Sequence, residues 1–94
     1  MLKFSEIECV TVDGSKTYAV DVTGERYRLK MRLYEISEIL PGYFIKINKS
    51  SLANRKQIER FSAAFSGSVD VIFKSGCRDY VSRRCFADIK KELK

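Results

Sequence analysis

The sequence predicts a mainly β domain built of hairpins, with a short helix near residues 32–40 and a second near 83–93. Runs of β-branched and aromatic residues alternate with polar ones, which is the period of a half-buried strand. Turn signals recur every ~8–12 residues, the spacing of small β domains. Helical periodicity is confined to two places. With 94 residues there is room for one small core, so residues 1–94 are expected to form a single domain, with no linker or internal repeat to divide it.

The first strand is the run holding Ile7, Cys9 and Val10, ended by Asp13-Gly14, a strong hairpin signal. The second covers residues 16–22, with Tyr18, Val20 and Val22 alternating against Thr17, Ala19 and Asp21. Thr23-Gly24 turns the chain into a third, in which Tyr27, Leu29 and Met31 are assigned to the buried face and Arg26, Arg28 and Lys30 to solvent. Leu33, Ile36, Ile39 and Leu40 then repeat as the apolar stripe of a helix, stopped by Pro41-Gly42. Residues 43–47 are strand-like and break at Asn48-Lys49-Ser50-Ser51. Leu52-Ala53-Asn54 resumes an extended path, and Ile58 and Phe61 lead to a turn at Ser66-Gly67-Ser68. Val69, Val71 and Phe73 alternate up to Ser75-Gly76, and residues 78–81 return. Phe86, Ile89 and Leu93 mark the last helix, with Ser82 as its N-cap. About seven strands and two helices result.

Composition narrows function. Histidine is absent, which removes the commonest general base and every Cys/His metal site. There is no Walker sequence and no G-x-S-x-G elbow, and the carboxylates are scattered. We therefore expect no enzyme, no metal and no cofactor. Cys9, Cys77 and Cys85 form no C-x-x-C pair and read as reduced thiols of a cytoplasmic protein, a regulatory thiol being the alternative. No apolar run approaches the ~20 residues of a membrane helix, and Met1-Leu2-Lys3-Phe4 does not open a secretory signal.

Charge is the informative quantity. The formal net charge is +6, and it is uneven. Up to residue 25, Lys3 and Lys16 face Glu6, Glu8, Asp13, Asp21 and Glu25; the basic excess lies beyond, at Lys46, Lys49, Arg55, Lys56 and Arg60 and again at Lys74, Arg78, Arg83 and Arg84. Clustered cations suit a polyanion. The Asn48-Lys49-Ser50-Ser51 turn and the Val81-Ser82-Arg83-Arg84 segment each follow a strand and each set hydroxyls beside cations. Such loops suit phosphate oxygens and can extend a cation to a guanine edge. Read locally, the same segments are an ordinary loop and a capped helix with solvated arginines.

The stretch Tyr43-Phe44-Ile45-Lys46-Ile47-Asn48-Lys49-Ser50-Ser51-Leu52-Ala53-Asn54 resembles the central signature of LytTR domains, a bacterial DNA-binding family. Gly24-Glu25-Arg26-Tyr27, Leu33-Tyr34-Glu35-Ile36, Lys56-Gln57-Ile58-Glu59 and Val81-Ser82-Arg83-Arg84 resemble further family segments in the right order, so the likeness covers about residues 2–93. The resemblance implies small antiparallel sheets with short helices at their edges. It also implies double-stranded DNA as partner, loops rather than a recognition helix in successive major grooves, direct repeats in promoters, and a bent duplex. It implies base contacts at Lys16, Lys49 and Arg84, and backbone contacts at Ser50, Arg55, Lys56, Ser82 and Arg83. Some members carry histidine at the first of these loops; this chain has none. Ser51 stands where many members have a larger residue, which predicts a looser turn. The family further implies a bacterial transcriptional regulator or response regulator output domain, homodimers on DNA, and a receiver domain or membrane-protein partner elsewhere in the system; the chain is then a piece cut from a longer regulator or a stand-alone one. Two other readings stand beside it. One is a protein-interaction or sensor-coupling β module without DNA binding. The other is a single-strand or RNA binder, for which Tyr18, Tyr27, Tyr43, Tyr80 and Phe44 sit at mostly core-like positions.

Overall fold

A computed structural model describes residues 3–92. Its eight strands form two antiparallel sheets. β1 (Ile7–Asp13), β2 (Lys16–Asp21), β3 (Arg26–Leu29), β4 (Phe44–Asn48) and β5 (Ser51–Asn54) make the first, in the order β3-β2-β1-β5-β4. β6 (Ile58–Ala63), β7 (Val69–Phe73) and β8 (Arg78–Val81) make the second, in chain order. Helix α1 (Leu33–Ile39) follows β3 and helix α2 (Arg83–Glu92) follows β8. Short 3-10 turns at Phe4–Glu6 and Arg55–Gln57 lead into β1 and β6. The mainly β expectation therefore holds, with eight strands rather than about seven.

Each hairpin follows from local chemistry. Gly14 takes a φ of 65°, a conformation cheap only without a Cβ, and closes the tight β1–β2 turn at the Asp13↔Lys16 pair. The Asp21 carboxylate accepts the backbone N–H groups of Thr23 and Glu25 and the hydroxyls of Thr23 and Tyr27, which builds the β2–β3 turn. These donors hold its carboxyl below the usual range, the Thr23 hydroxyl most of all. Glu35 accepts the Arg32 N–H at the start of α1, and Ser82 accepts the Cys85 N–H at the start of α2, as a cap should.

The central strands β1 and β5 of the five-stranded sheet are covered on both faces, which is why they stay apolar on either side. On one face Ile7, Val10, Ala19 and Leu52 meet Ile36 of α1. On the other, Cys9, Ile45, Ile47 and Ala53 meet Val71, Phe73 and Val81 of the second sheet and Cys85 and Ile89 of α2. Ile7 and Val10 share a face, although three positions apart, because β1 carries a bulge between Ile7 and Cys9.

Several residues depart from the pattern. β3 is an edge strand, so Tyr27 remains exposed, as do Met31 just beyond it and Ile39 on α1. With Phe4 they rim an apolar cleft of about 290 Å³ between β1–β3 and α1. Tyr80 is exposed as well, whereas Tyr18, Tyr43 and Phe44 are half-buried. Leu93 and Lys94, assigned to the last helix, lie outside the described residues, as do Met1 and Leu2.

Glu8, the residue in the bulge, is buried, and its carboxylate accepts the Ser75 hydroxyl of the β7–β8 turn. Burial pushes its pKa up; the hydrogen bond opposes this, and the Asp21 charge adds to it. A carboxyl raised in the fold adds stability below its unfolded value of about 4.5, and that contribution is lost as pH rises through the folded value. Glu8→Gln keeps an acceptor for Ser75 and removes the charge. We expect it to melt higher than the parent at pH 7, with the difference shrinking toward pH 4; thermal melts across that range check this, and equal melting throughout would show that ionised Glu8 carries no penalty.

Candidate nucleic-acid interface

Three segments singled out in the sequence meet at one end of the molecule. The β1–β2 turn, the Asn48-Lys49-Ser50-Ser51 turn between β4 and β5, and the β8–α2 junction are stitched together by hydrogen bonds. The Val12 N–H donates to the Ser50 carbonyl at 2.8 Å, and the Ser82 N–H donates to the Ile47 carbonyl at 2.8 Å. Asn48 Nδ2 donates to the Tyr80 carbonyl at 2.9 Å, while Asn48 Oδ1 accepts the Ser50 N–H at 2.8 Å. Ser51 Oγ donates to Asp79 Oδ2 at 2.9 Å and lies 2.8 Å from Thr11 Oγ1. A serine has one hydroxyl hydrogen, so Thr11 must be the donor in that second bond.

The nonconsecutive pairing of β1 with β5 makes this possible, because it sets the two hairpin turns side by side. Beyond the stitched level the β1–β2 hairpin continues to its closing Asp13↔Lys16 pair. Lys49 is the residue after Asn48, and Arg83 is the residue after Ser82. The cations at the tips are all exposed. Among the described residues, none of Lys16, Lys49, Arg83 and Arg84 has a carboxylate at ion-pair distance. Two nearby acids are engaged: Asp79 accepts Ser51 and the Tyr80 N–H, and Asp13 pairs with Arg26, whose guanidinium also lies over the Tyr18 ring; Asp88 lies one turn of α2 beyond Arg84.

Arg83 and Arg84 occupy the first turn of α2, which holds no acidic residue. The helix dipole favours anions there and disfavours cations by ~0.3–1 kcal/mol each. Their placement disfavours the fold and concentrates positive charge at the start of α2.

The structure does not bring every expected contact residue to this cluster. Ser50 and Ser82 are in it. Arg55 and Lys56 lie past the other end of β5, where the Arg55 N–H donates to the Tyr43 carbonyl and Lys56 Nζ stands 4.2 Å from the Tyr43 ring centroid. Ser51, expected to loosen its turn, is instead buried and makes two hydrogen bonds. The sequence also understated Asn48 and Asn54. Both are buried clamps, Asn54 Nδ2 donating to the Ile7 carbonyl while its Oδ1 accepts the Lys56 N–H. Their shared signal was an asparagine at a strand end followed by a cation, where the side chain takes the backbone N–H two residues on.

All three cysteines are free; Cys9 and Cys85 are buried and Cys77 is exposed. Burial, with the Glu8 and Asp79 charges, pushes the Cys9 thiol up to about 12, which keeps it protonated and unreactive. Among the described residues there is no cluster able to hold a metal ion, and no helix is long and apolar enough to cross a membrane.

A small two-sheet domain that gathers three cation-tipped turns at one end belongs to the class of loop-presenting β folds. The chain belongs to the LytTr DNA-binding domain family, whose profile matches residues 1–94. Its fold is similar to that of the LytTr DNA-binding domain of a putative methyl-accepting/DNA response regulator from Bacillus cereus, with a TM-score of 0.88 at 22% identity, covering 98% of this chain and 84% of that one. Uncharacterized HTH-type transcriptional regulators of Staphylococcus aureus strains COL and MW2 are each 33% identical over 79 residues, which is 84% of this chain and 54% of theirs. The chain thus spans about half the length of the curated relatives it matches. Its own two helices are separated by five strands, so they do not form a helix-turn-helix pair.

Proposed function

We propose that this domain binds double-stranded DNA sequence-specifically by inserting loops into the major groove, and that it serves a bacterial transcriptional regulator in the cytoplasm as its DNA-binding output domain. The observation that carries this reading is the hydrogen-bonded convergence of three turns bearing unpaired cations at one end of the first sheet. Lys16, Lys49 and Arg84 are the base-contacting residues in this reading. Ser50, Ser82 and Arg83 hold phosphates beside them. Direct repeats in promoters follow if two copies bind together, and a receiver domain or membrane-protein partner belongs to the rest of the system.

Arg55 and Lys56 fit the same docking. The major groove is ~8.5 Å deep. The three residue steps from Ser51 to Asn54 span ~10 Å of strand. β5 is covered on both faces, so only its tip enters the groove, and Arg55 and Lys56, exposed ~10 Å behind it, meet the phosphates that a bent duplex brings against the body of the domain. Lys56→Ala should weaken binding alike for cognate and scrambled duplexes and reduce the salt slope by about one. A titration across salt concentrations checks this, and an unchanged slope removes Lys56 from the contacts.

Selection of bound fragments from the host genome, followed by competition with single strands, tests the whole reading. Enrichment of a shared duplex sequence supports it. Flat titrations against every fragment, with a protein partner recovered by pull-down, favour an interaction module instead.

A further inference from the structure

We infer that the β6–β7 hairpin is a further DNA contact, with Phe65 at its tip wedging a base step from the minor groove beside the arginines of α2. The inference rests on the DNA-binding reading above. Among the large hydrophobic side chains left exposed, Phe65 is the extreme, with a relative accessibility of 113% against 65% for Tyr34. The turn that carries it is well formed: the Ala64 N–H donates to the Ser68 carbonyl and the Gly67 N–H donates to the Ala64 carbonyl. Phe65 is therefore held out by a closed hairpin.

The direction of that hairpin matters. Ala63 pairs with Val69, and Val69 pairs with Val81, so the three form one row across the second sheet. The chain leaves this row in two places, through the 64–68 turn and through Ser82 into Arg83 and Arg84. Both exits are on the same end of the sheet. Gly67 and Ser68 share a cavity of about 340 Å³ with Arg83, Ala87 and Lys90, which sets the tip against the flank of α2. One to two strand spacings of ~4.8 Å separate the hairpin from β8, and the turn adds two residues of ~3.3 Å plus the phenyl ring. These offsets lie at right angles and combine to roughly 13–15 Å, a little short of the half turn of ~17 Å between a major groove and the next minor groove, a gap that a kinked duplex narrows.

Chemistry chooses the occupant. No residue from 61 to 69 is charged, and Phe65 is flanked by Ala63, Ala64, Ser66, Gly67 and Ser68. One aromatic on so slim a tip offers far less than the ~800 Å² per partner of a stable protein interface. A base-step wedge needs only one apolar side chain, and small neighbours let the tip enter a groove ~6 Å wide.

The test uses the whole chain and short duplexes bearing the sequence that it enriches from a random pool, with 2-aminopurine placed at successive flanking steps. The parent should raise fluorescence at one step. Phe65→Ala should abolish that signal and weaken binding by roughly tenfold without changing the salt slope, while Phe65→Leu should retain most of both. If Arg84→Ala loses binding but Phe65→Ala matches the parent in affinity and fluorescence, the wedge is wrong and the DNA reading stands. If the parent enriches no duplex, both are wrong.

Discussion

Arg84→Ala is expected to cost about 1–3 kcal/mol of binding to a cognate duplex and to relax preference at one base position. The fold itself should be unharmed or slightly steadier. Arg84 is exposed, and it sits in a helix first turn where a cation is unfavourable. Asp88, one turn on, offsets only part of that cost, ~0.2–0.5 kcal/mol for an i,i+4 pair of opposite charge. Binding and stability should therefore move in opposite directions, which a merely structural residue does not do. Arg84→Lys sharpens the test. Lysine keeps the charge but loses the planar fork that matches a guanine edge. Its salt slope should stay near that of the parent while discrimination at that base falls. Fluorescence titrations against the cognate duplex and single-base variants, paired with denaturant melts, check both variants. A lysine variant that discriminates like the parent would make Arg84 a phosphate contact.

The individual fingers were legible in the sequence, and their convergence was not. Asp13-Gly14 and Ser75-Gly76 mark hairpins by local turn chemistry, and Ser82 reads as a cap because one hydroxyl and one N–H decide it. Lys49 and Arg84 stand out because a polar turn follows an apolar strand. That Ser50 lies against Val12 depends on β1 pairing with β5 across the intervening β2, β3, α1 and β4, a contact no local pattern encodes. The bulge at Glu8 was hidden for a related reason. It inverts the alternation of β1, so Ile7 and Val10 share a face only once both neighbouring strands are known. Glu8 itself reads as a surface charge, since carboxylates are almost never buried without a partner. Tyr27, Met31 and Ile39 were assigned inward because periodicity reports an apolar face without telling whether another layer covers it. Phe65 gave no signal at all, since one aromatic between small residues reads as an ordinary loop.

If the stitched turns are what makes the fingers act together, Asn48→Ala should damage DNA binding beyond its effect on folding. Removing this side chain strips a carbonyl at Tyr80 and a backbone N–H at Ser50, both in part-buried bonds, of their partner. The expected loss of stability is about 1–3 kcal/mol, the scale for polar groups left unpaired away from water. Asn54→Ala is the matched control. That asparagine is equally buried and makes the same pair of bonds, one to a distant carbonyl and one to the N–H two residues on, but at the opposite end of β5. Both variants should lose similar stability in denaturant melts. In titrations at a temperature where circular dichroism shows each to be fully folded, Asn48→Ala should bind the cognate duplex roughly tenfold more weakly than the parent, a loss of about 1.4 kcal/mol. Asn54→Ala should lose no more than the share of the Lys56 phosphate contact, seen as a smaller salt slope with base discrimination kept, because its bonds fasten the base of the finger, where Lys56 sits, and not the tips. The Asn48 effect should also be shared among bases read by Lys49 and Arg84, since both flank the Asn48–Tyr80 tie. Two variants equally weakened, or equally unaffected, would mean that the fingers are positioned by the sheets alone and that the stitching at their tips is incidental.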